Sequence, residues 1–198
     1  HLLLKGEEVY GINRSLPKPS CMWPWRKQLD TSSIWNVFNI REDIDDIINL
    51  VLSIKPTHIV DFMGQGMVAQ SWEDPYLWFD TNISCKSKLV GSILNLDSLE
   101  MYIRASTPEV FGSSLVPRSE SSNFHPSTPY AISHASIDSY LRCIGKQFGF
   151  PYVIARYANF YGVGQQLYRV IPRIMLSCLT GKKFILDGEG DSLRSFIY

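Results

Sequence analysis

The 198-residue chain carries 19 basic and 19 acidic side chains, a formal net charge of zero, and is 45% hydrophobic. Balanced charge without a long basic run argues against nucleic acid or an anionic membrane as partner, and no apolar run reaches the ~20 residues of a membrane helix. The length suits one α/β domain with the start of a second.

LLLKG (2–6) reads as a helix tail closing on Gly6, and EVYGI (8–12) as a short strand. SLPKPSCMWPWRK (15–27), with three prolines and two tryptophans, reads as an irregular loop, either a partly buried surface loop or an aromatic binding platform. IWNVFNI (34–40) alternates as a strand does. REDIDDIINLVLSIKP (41–56) has the helical period, and THIVDFM (57–63) is a strand running into the glycines of GQG. A long helix over 74–95, a strand over 100–106 and a Ser/Pro-rich loop to about residue 126 follow. Then come a helix over 126–149 closed by Gly149, a strand over 151–159, a helix over 170–183 and short extended pieces at FILDG and RSFIY.

Strands alternating with helices at this spacing predict a parallel sheet covered on both faces, which places ligands at the carboxyl ends of its strands. Three clusters lie just after strands or on the following helix: STPEVFG (106–112), TPYAISHAS (128–136) and ARYANFYG (155–162). Tyr130 and His134 stand at i and i+4, on one helix face.

These stretches, with RYANFYGVGQQ and the tail DGEGDSLRSFIY, resemble the extended short-chain dehydrogenase/reductase family, specifically its NAD(P)-dependent nucleotide-sugar epimerases and dehydratases such as GDP-mannose and dTDP-glucose 4,6-dehydratases. The resemblance implies a Rossmann-like, doubly wound α/β fold. It implies an NAD(P)-binding domain over 1–165 and the beginning of a substrate-binding region over 166–198, each incomplete. The family's first strand and its Gly-rich turn are missing, and GQG at 64–66 follows a later strand. A central strand's absence leaves two half-sheets with unpaired backbone, so residues upstream of His1 are expected, or an incomplete copy.

The resemblance also assigns roles. Tyr130 is the base for a sugar hydroxyl, Thr107 the hydroxyl beside it, and Glu109 the extra carboxyl that a dehydratase needs for elimination; related decarboxylases carry a similar Glu. Pro108 stands where some dehydratases place an Asp acid. A free tyrosine has a pKa of ~10, so only about one in a thousand is phenolate at pH 7 without a depressing neighbour. His134 occupies the position of the family's lysine. An imidazole of pKa ~6.5 is mostly neutral at pH 7 and shorter than lysine, which implies a weakened or more pH-sensitive base. Whether it supports catalysis stays open.

On the cofactor side, Asn13 stands where an acidic residue binds the NAD ribose, and Arg14 tilts the choice towards NADP unless it is simply solvated. Asp43, with Ile44 beside it, matches the adenine region. Gly64, in Asp61-Phe62-Met63-Gly64, replaces the family's His-Leu-Ala-Ala. Asn82 is either structural or a cofactor contact. On the sugar side, Ser71 aligns with a substrate-loop serine, Asn159 and Arg194 with phosphate contacts, and Arg169 is either a further contact or a solvated cation.

The expected reaction is 4,6-dehydration of a nucleotide-diphospho-sugar: hydride leaves C4 for the cofactor, water is lost across C5–C6, and hydride returns to C6. A 4-epimerase or reductase, and a non-catalytic nucleotide-sugar or dinucleotide binding protein, are the alternatives. Cys21, Cys85, Cys143 and Cys178 form no close pair and are expected as thiols in the cytoplasm. The histidines are scattered, so no metal is expected, and the helices over 74–95 and 126–149 are those through which the family forms homodimers.

Overall fold

The computed structural model describes residues 1–15, 34–114, 116, 119–120, 123–185 and 195–198. The predicted loop at 15–27 therefore lies almost wholly outside the described residues, as do Arg194 and most of FILDG. The chain divides into two compact units. The first comprises Ile12–Arg14 and Asn36–Tyr157, the second His1–Gly11, Ser15–Trp35 and Ala158–Tyr198.

In the first unit, β3 (His58–Asp61), β4 (Met101–Ser106) and β5 (Tyr152–Arg156) form a parallel sheet with β4 in the middle. Asp61 is level with Arg104, and Ser106 with Arg156. The short strands β1 (Gly11–Asn13) and β2 (Trp35–Val37) pair with each other in a separate two-stranded sheet.

Helix α1 (Ile44–Ile54) buries Ile44, Ile47, Ile48 and Val51, the 3.6-residue stripe read in the sequence. The predicted long helix over 74–95 consists of α2 (Pro75–Phe79), a π-helical turn (Asp80–Cys85) and α3 (Lys86–Ser92). Its buried side chains run Trp78, Thr81, Asn82, Cys85, Lys86, Leu89 and Val90, a stripe in which three polar side chains, Thr81, Asn82 and Lys86, are buried. Helix α4 (Pro129–Phe148) begins on Thr128, whose Oγ1 accepts from the Ala131 amide at 3.1 Å, and ends on Gly149 at φ 70°. Ile47, Val90, Ile93, Tyr102 and Leu141, all fully buried, centre a core built from α1, α3, β4 and α4.

One local device recurs where the chain enters a helix. Asp74, Thr107 and Thr128 each cap a helix start with a side-chain oxygen, and each is followed by a proline at the first helical position, where no amide hydrogen is needed. Pro108 serves this purpose for the 3-10 turn Pro108–Phe111.

In the second unit, a 3-10 turn (Leu3–Lys5) closes on Gly6 in the left-handed region, as the LLLKG motif predicts. Strands β6 (Asn159–Phe160) and β7 (Phe196–Ile197) pair in parallel, and α5 (Val170–Thr180) ends on Gly181.

Candidate active site

Along β4 the side chains alternate, so Tyr102, Arg104 and Ser106 share the buried face. The strand then delivers Thr107, buried, with its Oγ1 accepting from the Glu109 amide at 3.2 Å. That bond fixes the turn carrying Glu109, which is half-buried. Gly112 closes the turn at φ 72°, and a Cβ there would collide with the His125 carbonyl.

The cap and proline at the start of α4 set Tyr130 in its first turn, half-buried. The Tyr130 and His134 rings stack with centroids 4.6 Å apart, inclined at 56°. A short relay supports this turn from the other side. The Tyr130 carbonyl accepts from Ser133 Oγ at 2.7 Å, and Ser133 Oγ accepts from Asn82 Nδ2 at 3.0 Å. Asn82 also binds the Gln65 backbone through both its carbonyl and its amide. Asn82, fully buried, thereby ties the loop after β3 to the first turn of α4.

Beneath His134 lies a buried charged group. Asp61 at the end of β3 receives Lys86 Nζ on both oxygens at 2.5 Å, the Tyr102 hydroxyl at 2.8 Å and Arg104 Nη1 at 3.5 Å. Arg104 Nη2 stands 3.1 Å from His134 Nδ1. A guanidinium has only donors, so Nδ1 accepts and the imidazole proton resides on Nε2. Burial, then the charges of Arg104 and Lys86, push the His134 pKa down to about 3. The imidazole is therefore neutral throughout the physiological range. Buried beside two cations, this ring does not itself titrate near neutrality.

Burial lowers Lys86 to about 8, with Asp61 opposing the shift, so the ammonium is charged at pH 7. Burial raises the Asp61 carboxyl, but Lys86, Arg104 and the hydrogen bonds of Lys86 and Tyr102 outweigh it and leave the group below its ordinary value. A second buried group follows on the same helix face. Asp138 accepts from Ser106 Oγ at 2.7 Å and Arg156 Nη2 at 2.9 Å, and burial raises its carboxyl despite both.

In the sequence Asp61 stands out only as a departure from the family and Arg156 only as part of ARYANFYG, while Lys86, Arg104 and Asp138 belong to none of the motifs. Their signal is nevertheless there: Arg104 is the lone charge of the strand Met101–Ser106, and Asp138 continues the Tyr130–His134 spacing by one helical step.

The other expected residues divide between the units. Asn13 is exposed and its Oδ1 accepts from the Arg14 amide at 2.9 Å; Arg14 is exposed. Asp43 caps the loop before α1 by accepting from the Asn39 amide at 2.7 Å, while Ile44 packs into the core. Ser71 is buried, its hydroxyl donating to the Val68 carbonyl at 2.6 Å, where it orders its own turn. Gly64 lies so close to Asn82 that a Cβ would sit 2.9 Å from Oδ1, and a Cβ on Gly66 would meet nothing within 4 Å. The open backbone at Gly66, with the exposed polar side chains of Asn13 and Arg14 at the end of β1, is the part of this surface that suits a dinucleotide. Asn159 and Arg169 belong to the second unit. There Asn159 Nδ2 donates to the Ser195 carbonyl at 3.2 Å and the Arg169 guanidinium lies 5.2 Å from the Tyr168 ring centre. Arg194 lies outside the described residues.

The model of the NAD dependent epimerase/dehydratase family matches residues 1–198. The chain belongs to this family. Among curated family relatives, the trifunctional UDP-glucose 4,6-dehydratase/UDP-4-keto-6-deoxy-D-glucose 3,5-epimerase/UDP-4-keto-L-rhamnose-reductase of Arabidopsis thaliana is 28% identical over 180 residues, 87% of this chain and 27% of that protein. The human dTDP-D-glucose 4,6-dehydratase is 37% identical over 101 residues, 50% of this chain and 29% of that protein.

Among solved structures, the Bacillus cereus UDP-glucuronic acid 4-epimerase in complex with UDP-glucuronic acid and NAD is similar with a TM-score of 0.81 at 26% identity, covering 100% of this chain and 63% of its own. The Streptomyces venezuelae dTDP-glucose 4,6-dehydratase with NAD bound gives 0.71 at 25%, covering 85% and 52%. These matches establish the Rossmann-like α/β fold of the family. The chain spans only 27% of the first relative and 52% of this last structure.

Proposed function

We propose that the protein works as an NAD(P)-dependent nucleotide-sugar 4,6-dehydratase. The observation that supports this most is the adjacency of Thr107 and Glu109 on one capped turn after β4, together with Tyr130 in the first turn of α4. A bound nicotinamide ring supplies the hydride acceptor for C4 and the later donor to C6. Asn13, Arg14, Asp43 and the backbone at Gly64 are the proposed holders of that cofactor. Arg14 favours NADP, whereas the solved relatives just described carry NAD.

Tyr130 as phenolate takes the C4 hydroxyl proton, and the Thr107 hydroxyl orients that oxygen. Once C4 is a ketone the C5 proton is acidified, and Glu109 removes it and assists departure of the C6 hydroxyl. A simple 4-epimerase needs no such carboxylate. Asn159, Arg169 and Arg194 are the proposed diphosphate contacts, and Ser71 shapes the substrate loop. The unpaired thiols Cys85, Cys143 and Cys178 agree with a cytoplasmic enzyme, and α2–α4 are the helices proposed to form a homodimer. No described helix is long and apolar enough to cross a membrane.

Incubation with a panel of nucleotide-diphospho-hexoses and either dinucleotide tests the reading. A 4-keto-6-deoxy product supports it, an epimerised sugar replaces it with the epimerase alternative, and tight binding without turnover supports a binding protein.

A further inference from the structure

The sequence places a neutral imidazole where a cation would normally assist Tyr130, yet the structure holds two cations directly below that imidazole. Lys86 from α3 and Arg104 from β4 share a single carboxylate, Asp61 from β3, so one positive charge is left without a compensating anion in that group. Lys86 is doubly bonded to Asp61, whereas Arg104 reaches it only at 3.5 Å and turns its other nitrogen to His134 at 3.1 Å. The excess charge therefore sits on the Arg104 side, against the ring that stacks on Tyr130.

We infer that Arg104 is the positioning residue for the Tyr130 base: through His134 it supplies, from the sheet below, the positive charge that stabilises the phenolate. This rests on the reading of Tyr130 as base. His134 is the spacer in this arrangement. Its Nδ1 is fixed by the guanidinium, its Nε2 carries a hydrogen, and its ring fills the space between the buried cation and Tyr130 without titrating itself.

The other charged groups around the pair are accounted for. Helix α4 contributes Asp138 one turn beyond His134. That carboxylate is hydrogen-bonded by Ser106 and by Arg156 from β5 and also feels the Arg104 charge, so it opposes part of the effect, while Arg156 adds a third cation to the two buried carboxylates. The Tyr102 hydroxyl from β4 donates to Asp61 and is held neutral, its pKa pushed well up by burial and then by the Asp61 charge. The turn after β4 brings Glu109, whose ionised form opposes the effect, and α3 brings Lys86, which reinforces it. The low dielectric of the site makes the remaining cation effective: a unit charge ~7 Å away in an effective dielectric of ~20 moves a pKa by about 1–2 pH units.

The test is the ionisation of Tyr130 itself, which requires no substrate and stays informative whatever the reaction proves to be. Full-chain protein labelled with carbon-13 at the tyrosine ring is titrated by NMR, and the Tyr130 resonance is assigned as the one absent from Tyr130→Phe. The expected midpoint in the wild type lies at least about one pH unit below the ordinary ~10. Arg104→Gln, which keeps a donor for His134 Nδ1 but removes the charge, raises the midpoint by about one pH unit, and Arg104→Lys restores it. A wild-type midpoint at 10 or above overturns the inference without any variant, so a variant that fails to fold does not protect it. An Arg104→Gln protein that titrates like the wild type overturns it as well. Absence of turnover with every nucleotide sugar, beside a depressed Tyr130 midpoint, would instead count against the proposed reaction alone.

Discussion

Arg104 Nη2 lies 3.1 Å from Nδ1 of His134, and this contact decides the state of the imidazole. The guanidinium cannot accept a hydrogen bond, so the ring is held as the neutral tautomer with its proton on Nε2. A residue that the sequence marks as a weakness in the proposed catalytic motif is thus a fixed, uncharged part of a buried polar assembly.

The first expectation concerns acid stability. His134 is held at about 3 in the fold and titrates near ~6.5 in the unfolded chain, so between these values only the unfolded chain binds the proton. Its contribution is intact above the unfolded value and is lost as pH falls through the window. From pH 6 to pH 4 the wild type should lose roughly 2–3 kcal/mol more than His134→Gln, measured by urea denaturation at each pH. In the pH–rate profile the same ring should contribute no limb between pH 5 and 9. A limb near 6.5 that disappears in His134→Gln would show that the imidazole is not held as described.

A second expectation concerns the Lys86–Asp61 pair, both members fully buried. Lys86→Met leaves Asp61 with Arg104 at 3.5 Å and the Tyr102 hydroxyl, and should cost ~3–5 kcal/mol. Asp61→Asn, which leaves Lys86 and Arg104 buried with no carboxylate between them, should cost at least as much, and the two changes together less than their sum. Strict additivity of the two changes in a double-mutant cycle would contradict the coupling.

Asn82→Ala removes the side chain that links the Gln65 backbone to Ser133 and leaves buried polar groups unsatisfied. A loss of about 1–3 kcal/mol is expected. Faster hydrogen exchange should appear both at Gln65 and in the first turn of α4. Exchange that rises at only one of them would mean that the relay does not couple them.

Much of the fold was legible because its signals are local. The apolar stripe of α1, the Thr128–Pro129 start and Gly149 end of α4, and the alternation of β4 each follow from spacing within a few residues. Strand β1 pairs at Gly11–Asn13, later than the 8–12 that its sequence suggests, and α2–α3 contains a π turn that no periodicity announces. The motif residues Thr107, Glu109, Tyr130 and His134 were visible from their resemblance to known sequences. The charged group beneath them was not, since Asp61, Lys86 and Arg104 come from three elements, and only parallel pairing of β3 with β4 brings Asp61 level with Arg104.

Tyr130→Phe removes the hydroxyl but keeps the ring against His134. Turnover should fall by about 10²–10⁴-fold while affinity for the nucleotide sugar stays within a few-fold. Parallel steady-state rates and calorimetric titrations check both halves, and an equal loss in binding would assign Tyr130 to substrate recognition.

The most direct test of the proposed chemistry is the mass of the product. Full-chain protein with dinucleotide and a nucleotide-diphospho-hexose should yield a product lighter than the substrate by one water, and Glu109→Gln should suppress that product. A product of unchanged mass with an inverted sugar centre, formed equally well by Glu109→Gln, would contradict the dehydratase assignment.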